Sequence, residues 1–254
     1  MTSVISIQSQ VCVGAVGNTV ARYAFARAGI GVVEVPTVIL SNLPHLDTVH
    51  GGPLPLPHLR GLLQGLEERG APGQASAIVL GYLGTAEVAE ACLAWVAGLR
   101  KRPLVVVDPV MGDRDVGLYV DAAIPALYAH WLPRLADVAT PNAWEAGELA
   151  RVGLAPGNMA RIASVVTSAV LDDARIELEL WQAGHAEPGR HAHPRCALEP
   201  KGTGDLFAAT LAAALVAGQP LEDAVRHAAA RTQAVVEAVA ARGGTFLGAR
   251  DILQ

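Results

Sequence analysis

Short runs of apolar, β-branched residues alternate with stretches of helical periodicity along most of this chain. Val4 to Ile7, Gly31 to Ile39, Ala77 to Leu80, Leu104 to Asp108, Asp137 to Thr140 and Ile162 to Thr167 read as strands. Between them Asn18 to Ala28, His58 to Arg69, Thr85 to Leu99, Asp121 to Ala129 and Asn142 to Ala150 read as helices. Such alternation predicts an α/β fold with a mostly parallel sheet and right-handed crossovers. Arg175 to Gln182 reads as an added strand, antiparallel at an edge, and two final helices are expected over Thr203 to Ala217 and Leu221 to Ala241. The stretch Ser41 to Pro57 breaks the pattern, because Pro44, Gly51, Gly52, Pro53, Pro55 and Pro57 oppose regular structure. It reads as a loop or flap, lying over a substrate or passively on the surface.

Composition narrows the picture. The 254 residues are 52% hydrophobic and 17% charged, which suits one large domain over 1–254 whose strands are buried on both faces. A formal net charge of −5 supplies no basic surface for a phosphate backbone, so nucleic acid is not an expected partner. Cys12, Cys92 and Cys196 are widely spaced, odd in number and without metal-ligand spacing, which favours a reducing, cytoplasmic setting. Met1 to Gln10 lacks the pattern of a signal peptide, and no run approaches the roughly 20 apolar residues of a membrane span, so a soluble protein is expected.

Candidate chemistry gathers after the strands. Gly202-Thr203-Gly204-Asp205 runs directly into an apolar helix, reading as a phosphate-holding turn with the helix dipole behind it. Asp205 is placed to accept a proton from a hydroxyl attacking the terminal phosphorus of a nucleotide. Ordinary helix capping is the competing reading. Asp108 and Asp113, in Asp108-Pro109-Val110-Met111-Gly112-Asp113, offer carboxylates to a magnesium nucleotide or stand as solvated loop acids. In Thr140-Pro141-Asn142-Ala143-Trp144-Glu145, Glu145 completes a capping arrangement or holds a metal-bound water. Ser9 ends the first strand, and Tyr82, after Gly81, offers a ring to a flat substrate or to packing. Irregular spacing places His191 and His193 in solvent or at a nucleotide edge rather than on a metal.

In order, Ser6-Ile7-Gln8-Ser9, Gly14-Ala15-Val16-Gly17-Asn18, Thr37 to Asn42, Gly81-Tyr82-Leu83-Gly84, Asp108 to Asp113, Thr140 to Glu145 and Gly202 to Asp205 closely resemble the pyridoxal kinases of the ribokinase-like superfamily. The resemblance implies a three-layer sandwich around a mostly parallel sheet. It also implies ATP- and Mg2+-dependent phosphorylation of the 5′-hydroxyl of pyridoxal, and of pyridoxine and pyridoxamine, in vitamin B6 salvage by a homodimer. Asp205 would then be the catalytic base, with the Gly202, Thr203 and Gly204 backbone stabilising the transferred group. Ser9, Val16, Tyr82 and His45 would contact the vitamer. Asp108, Thr140, Glu145, Thr167 and Ser168 would serve the nucleotide, and Asp113 and Glu145 the metal. Thr140 would contribute to a monovalent-cation site, K+ or Na+, or to a phosphate site.

Three departures stand out. Where the family continues His-Thr after Ser41-Asn42, this chain has Leu43-Pro44-His45, losing a hydroxyl that His45 would have to replace. Arg151 to Ala160 is too brief for an extra crossover helix, and the segment before Gly202, which would border adenine, is compressed. A hydroxymethylpyrimidine kinase is the nearest alternative, disfavoured by Asp205 and by Ser6 to Ser9. A nonenzymatic B6-binding regulator is the other.

Overall fold

The computed structural model describes residues 2–172 and 174–254. Its strands are β1 (Ser3–Val11), β2 (Gly31–Leu40), β3 (Gly51–Pro53), β4 (Ala77–Leu80), β5 (Leu104–Val107), β6 (Gly112–Asp113), β7 (Gly117–Leu118), β8 (Val138–Ala139), β9 (Ala163–Leu171), β10 (Arg175–Gln182) and β11 (Gly189–Pro194). The helices are α1 (Asn18–Arg27), α2 (Leu56–Glu68), α3 (Ala71–Gln74), α4 (Ala86–Gly98), α5 (Ile124–Leu135), α6 (Ala143–Arg151), α7 (Thr203–Val216), α8 (Leu221–Ala241) and α9 (Ala249–Leu253). Nine strands form one sheet in the order β11-β10-β9-β8-β5-β4-β1-β2-β3, while β6 and β7 make a separate hairpin. From β9 through β2 neighbouring strands are parallel, and β10, β11 and β3 are antiparallel additions.

Side-chain alternation along the strands divides the core into two layers. Val4, Val79, Val106 and Val165 project into a cluster with Phe25, Leu211 and Val235 from α1, α7 and α8. Ile5, Ile7, Ile78, Leu80, Val105 and Val107 project the other way, onto Leu59, Leu93 and Leu132 from α2, α4 and α5. Both faces are therefore sealed by helices, as the apolar runs required. Within the segment Arg151 to Ala160 the chain makes only a 3-10 turn, Pro156–Asn158, after α6 ends.

Several expectations are corrected. The 41–57 segment contains β3, which pairs antiparallel with β2 as the sheet's last strand, and α2 begins inside it at Leu56. The strand at Arg175 is antiparallel but not at the edge, because β11 covers it. The α5 helix runs to Leu135 rather than ending near Ala129, with Pro133 accommodated in its last turn. A short closing helix, α9, follows the two that were expected.

Close packing leaves no room beside Gly112, where an added Cβ would overlap the Trp144 ring and lie 2.6 Å from the Gly117 carbonyl oxygen. Gly112→Ala should therefore destabilise the fold by about 1–3 kcal/mol. Thermal denaturation checks this, with an unchanged Tm counting against the packing described.

Candidate active site

The chain leaves β1 toward β2 on one side and returns at β4 to build the remaining sheet on the other, so strand order reverses between β1 and β4. Open α/β sheets bind ligands in the crevice beyond the strand carboxyl ends at such a reversal. Ser9 lies near the end of β1, and Gly81-Tyr82 follows β4 directly. A Cβ on Gly81 would overlap the Gln8 side-chain oxygen, which explains a glycine there. The Thr37 hydroxyl donates to the Tyr82 carbonyl at 2.6 Å, fixing the backbone that presents the ring.

Beyond β1 the chain turns through Gly14 and Gly17, both at positive φ, into α1. The turn is anchored by a buried polar network in which Gln8 Nε2 donates to Ser6 Oγ at 2.8 Å and Ser6 Oγ donates to Asn18 Oδ1 at 2.7 Å. Asn18 Nδ2 then donates to the Gln8 carbonyl at 3.1 Å. Ser6 and Gln8 are thus scaffold, satisfied inside the core. Their neighbour Ser9 abuts Gly17, where any Cβ would overlap the Ser9 hydroxyl and carbonyl. The Gly17 N–H donates to Asp205 Oδ2 at 2.8 Å, bringing together residues 188 positions apart.

Gly202 begins α7 in the left-handed conformation, φ 94°, and no side chain caps the helix. Its first N–H groups and dipole remain available to an anion. A Cβ at Gly202 would stand 2.7 Å from the Ala15 carbonyl oxygen, 3.2 Å from Leu247 Cδ1 and 3.4 Å from Val16 Cγ1. The turn is therefore held between the Gly14–Gly17 loop and the C-terminal segment, with Val16 beside it.

Acids converge on this helix start. Asp108 Oδ2 is 3.4 Å from where a Gly204 Cβ would be, and the residue is only 5% exposed. Burial, then the charges of Glu145 and Asp205, push its carboxyl well up, with Thr140 pulling the other way. The Thr140 hydroxyl is itself buried and finds no hydrogen-bond partner of ordinary geometry. Burial lifts Asp205 to about 6 against the Gly17 N–H. Burial also lifts Glu145 to about 7, although Asn142 N–H at 2.8 Å and Met111 N–H at 3.0 Å donate to its two oxygens. Asn142 Oδ1 accepts from the Glu145 N–H at 2.8 Å, so the capping reading of Glu145 is correct, and the same carboxylate also holds the loop that follows Asp108.

Asp113 is more exposed than these acids, and its charge adds to the rise of Glu145. Burial raises its carboxyl, but Lys201 and the N–H groups of Val116 and Asp115 outweigh that and hold it below its ordinary value. Among the described residues no three His, Cys, Asp or Glu side chains are grouped closely enough to hold a metal unaided.

A cavity of about 210 Å3 opens on the other side of the Gly202–Gly204 turn, lined by Thr167, Ser168, His193, Cys196, Thr203 and Gly204 among others. Ser168 adopts φ 55°, the one positive value among the described non-glycine residues. Strain of that kind costs about 1–3 kcal/mol and is characteristic of ligand sites. The Thr167 N–H donates to the Pro141 carbonyl at 2.8 Å, tying β9 to the loop that bears Thr140. Of the two histidines expected in solvent or at a nucleotide edge, His193 lines the cavity.

In the flap, Leu43 is buried against Gly14, whereas Pro44 and His45 are exposed. The His45 ring lies 6.1 Å from Phe246 of the C-terminal loop, so it contacts that loop. Sequence reasoning missed Phe246, Lys201 and Tyr119. The Tyr119 ring is 6.4 Å from Tyr82, and its phenol is pushed up by burial and by Glu145, Asp108, Asp113 and Asp205. No local pattern marks these residues, since each reaches the site from a loop or irregular segment.

Residues 72–247 match the family model described as phosphomethylpyrimidine kinase. The chain is 43% identical to the pyridoxine/pyridoxal/pyridoxamine kinase of Bordetella avium, covering 93% of this chain and 84% of that protein. It is 33% identical to the pyridoxal kinase of Rubrobacter xylanophilus, covering 95% of this chain and 89% of that one. The pyridoxal kinase of Leishmania donovani, solved in complex with ADP and pyridoxamine, superposes with a TM-score of 0.85 at 26% identity, covering 99% of this chain and 92% of that structure. The Entamoeba histolytica pyridoxal kinase shares the fold, with a TM-score of 0.89 at 22% identity, over 100% of this chain and 94% of the other.

The raised acids make stability depend on pH. A folded carboxyl that titrates near 6, against about 3.9 when unfolded, binds more protons in the folded state between those values. Its contribution to stability therefore falls as pH rises from about 4 to 6 and stays low above. Asp205→Asn should raise the Tm of the ligand-free protein at pH 8 by a few degrees, with a smaller gain at pH 5. Thermal melts across that range provide the check.

Proposed function

The chain belongs to the pyridoxal kinase family of the ribokinase-like superfamily, and on that premise we propose that it transfers the γ-phosphoryl group of ATP to the 5′-hydroxyl of pyridoxal, pyridoxine and pyridoxamine. The product is the 5′-phosphate, as needed in vitamin B6 salvage. The observation that carries this reading is the Gly17–Asp205 hydrogen bond, which sets a carboxylate between the strand-reversal crevice and the uncapped start of α7.

In this reading the vitamer ring lies in the crevice between Ser9, Val16 and Tyr82, with His45 and the flap above. Asp205 accepts the hydroxyl proton as that oxygen attacks the γ-phosphorus. One Asp205 oxygen is fixed by Gly17, which aims the other. The N–H groups of Gly202, Thr203 and Gly204 receive charge that develops on the transferred phosphoryl oxygens, and the helix dipole adds to them. The nucleotide occupies the cavity bounded by Thr167, Ser168 and His193.

The residues present fit a magnesium nucleotide. Protein sites for Mg2+ in phosphoryl transfer commonly supply only one or two carboxylates, with phosphate oxygens and water completing the octahedron. Asp108 and Glu145 are buried acids whose carboxyls are raised first by desolvation and then by neighbouring negative charge, and a bound cation stabilises their ionised forms. The buried Thr140 hydroxyl beside Asp108, which makes no hydrogen bond of ordinary geometry, supplies a neutral oxygen suited to K+ or Na+. Bound Mg2+ would neutralise the phosphate oxygens and favour in-line displacement. Asp108, Asp113 and Glu145 are the residues assigned to it. A homodimer with one site per subunit belongs to the same proposal, and light scattering at twice the 26.3 kDa chain mass is the expected result.

Purified protein given Mg-ATP should form ADP and the 5′-phosphate with each of the three vitamers, and more slowly with hydroxymethylpyrimidine. Product formation by chromatography would sink the reading if the pyrimidine were preferred or no vitamer reacted. Asp205→Asn preserves shape while removing the proton acceptor, so it should lower kcat by about 10²–10⁴-fold with pyridoxal binding retained. Wild-type kcat/KM, which reports the free enzyme, should also fall on acidification through about 6, the value to which burial lifts Asp205. A flat acid limb would remove Asp205 as base.

A further inference from the structure

Lys201 immediately precedes the Gly202 turn, and its Nζ lies 2.9 Å from Asp113 Oδ2. The contact spans 88 positions and joins the β6–β7 hairpin to the start of α7, where Asp108, just after β5, also approaches Gly204. Asp113 does not depend on Lys201 for its place. Its Oδ1 accepts N–H groups from Asp115 at 3.1 Å and Val116 at 2.9 Å, leaving Oδ2 to the lysine alone.

The pair joins a fixed carboxylate to a mobile cation. Lys201 carries a point charge on a four-carbon stem, and the two side chains are 49% and 26% exposed. Ion pairs so open to solvent contribute about 0–1 kcal/mol, so a stronger anion can displace this one at little cost. The neighbouring helix start has no side-chain cap, and the terminal phosphates of a nucleotide assigned to that start would lie within reach of the lysine.

We propose that Lys201 and Asp113 form an exchangeable pair: on nucleotide binding Lys201 leaves Asp113 for the terminal phosphate, and Asp113 Oδ2 is released to face the metal-bound side of the same phosphates. One side-chain movement thereby supplies a cation to the transferred group and a carboxylate to the magnesium site. Lys201 is then a phosphate-contacting residue that the Gly-Thr-Gly-Asp pattern alone does not include. The inference rests on the kinase reading for the position of the phosphates.

Calorimetric titration without vitamer tests it, with circular dichroism confirming that each variant is folded. Lys201→Met should weaken ATP binding about tenfold, both with Mg2+ and in its absence, and leave AMP binding unchanged. Lys201→Arg should recover most of that loss. Asp113→Asn should shift the Mg2+ dependence of ATP binding to higher concentration while leaving metal-free ATP affinity equal to or above the parent value. Equal effects of Lys201→Met on ATP and AMP, or a parental Mg2+ titration in Asp113→Asn, would overturn the exchange and leave a structural loop contact. Parental turnover of pyridoxal, measured alongside, reports separately on the assigned reaction: its failure with intact nucleotide binding would sink the vitamer reading and leave the exchange standing.

Discussion

The hydrogen bond from the Gly17 N–H to Asp205 is the contact on which the site depends, because it closes the molecule between its first turn and its last third. Forming it requires β1 to end beside β4, α7 to start above the same crevice, and Gly17 to approach Ser9 more closely than any side chain would allow. The sheet supplies the first condition and the uncapped turn at Gly202 the second. The buried Ser6–Gln8–Asn18 network supplies the third, by tying Asn18, which follows the glycine, to β1 next to Ser9.

Charge is assembled at the same place against the interest of folding. Asp108, Glu145 and Asp205 are each driven above their ordinary titration range by burial, so the ligand-free protein carries acids that it would be more stable without. Acids held together in this way are matched to a bound cation, which the Mg2+ of the proposed nucleotide complex would supply. Glu145, proposed to serve the metal, already has a structural duty. It caps α6 and holds the Met111 N–H, and its charge helps to raise the buried Asp108 carboxyl.

The departure in the flap has a physical sequel. Leu43 turns inward onto Gly14 while Pro44 faces outward, so the segment is anchored by apolar packing and by its own bonds, such as Asn42 Nδ2 to the Thr48 carbonyl at 2.7 Å. The His45 ring packs near Phe246, which joins the flap to the C-terminal loop.

The order of strands and helices was legible in the chain, because burial between two helical layers demands apolar runs whose period local sequence displays. So was the Gly202–Asp205 turn, since glycine freedom and a helix start are local properties, and so was the capping of α6 by Asn142 and Glu145. Edges were not legible: β3 and β11 are short and polar or Pro-containing, and only a neighbour's unpaired backbone makes them strands. Nor were the partners of side chains. That Ser6 and Gln8 are scaffold while Ser9 borders the crevice follows from which face of β1 meets α1, and Lys201, Tyr119 and Phe246 join the site only because distant loops converge there. Local sequence determined the buried strands, the main helices and the residues fit for phosphoryl transfer. The tertiary structure alone decided which acids share one low-dielectric space, because proximity across 88 or 188 positions is set by the packing of the sheet and its helices.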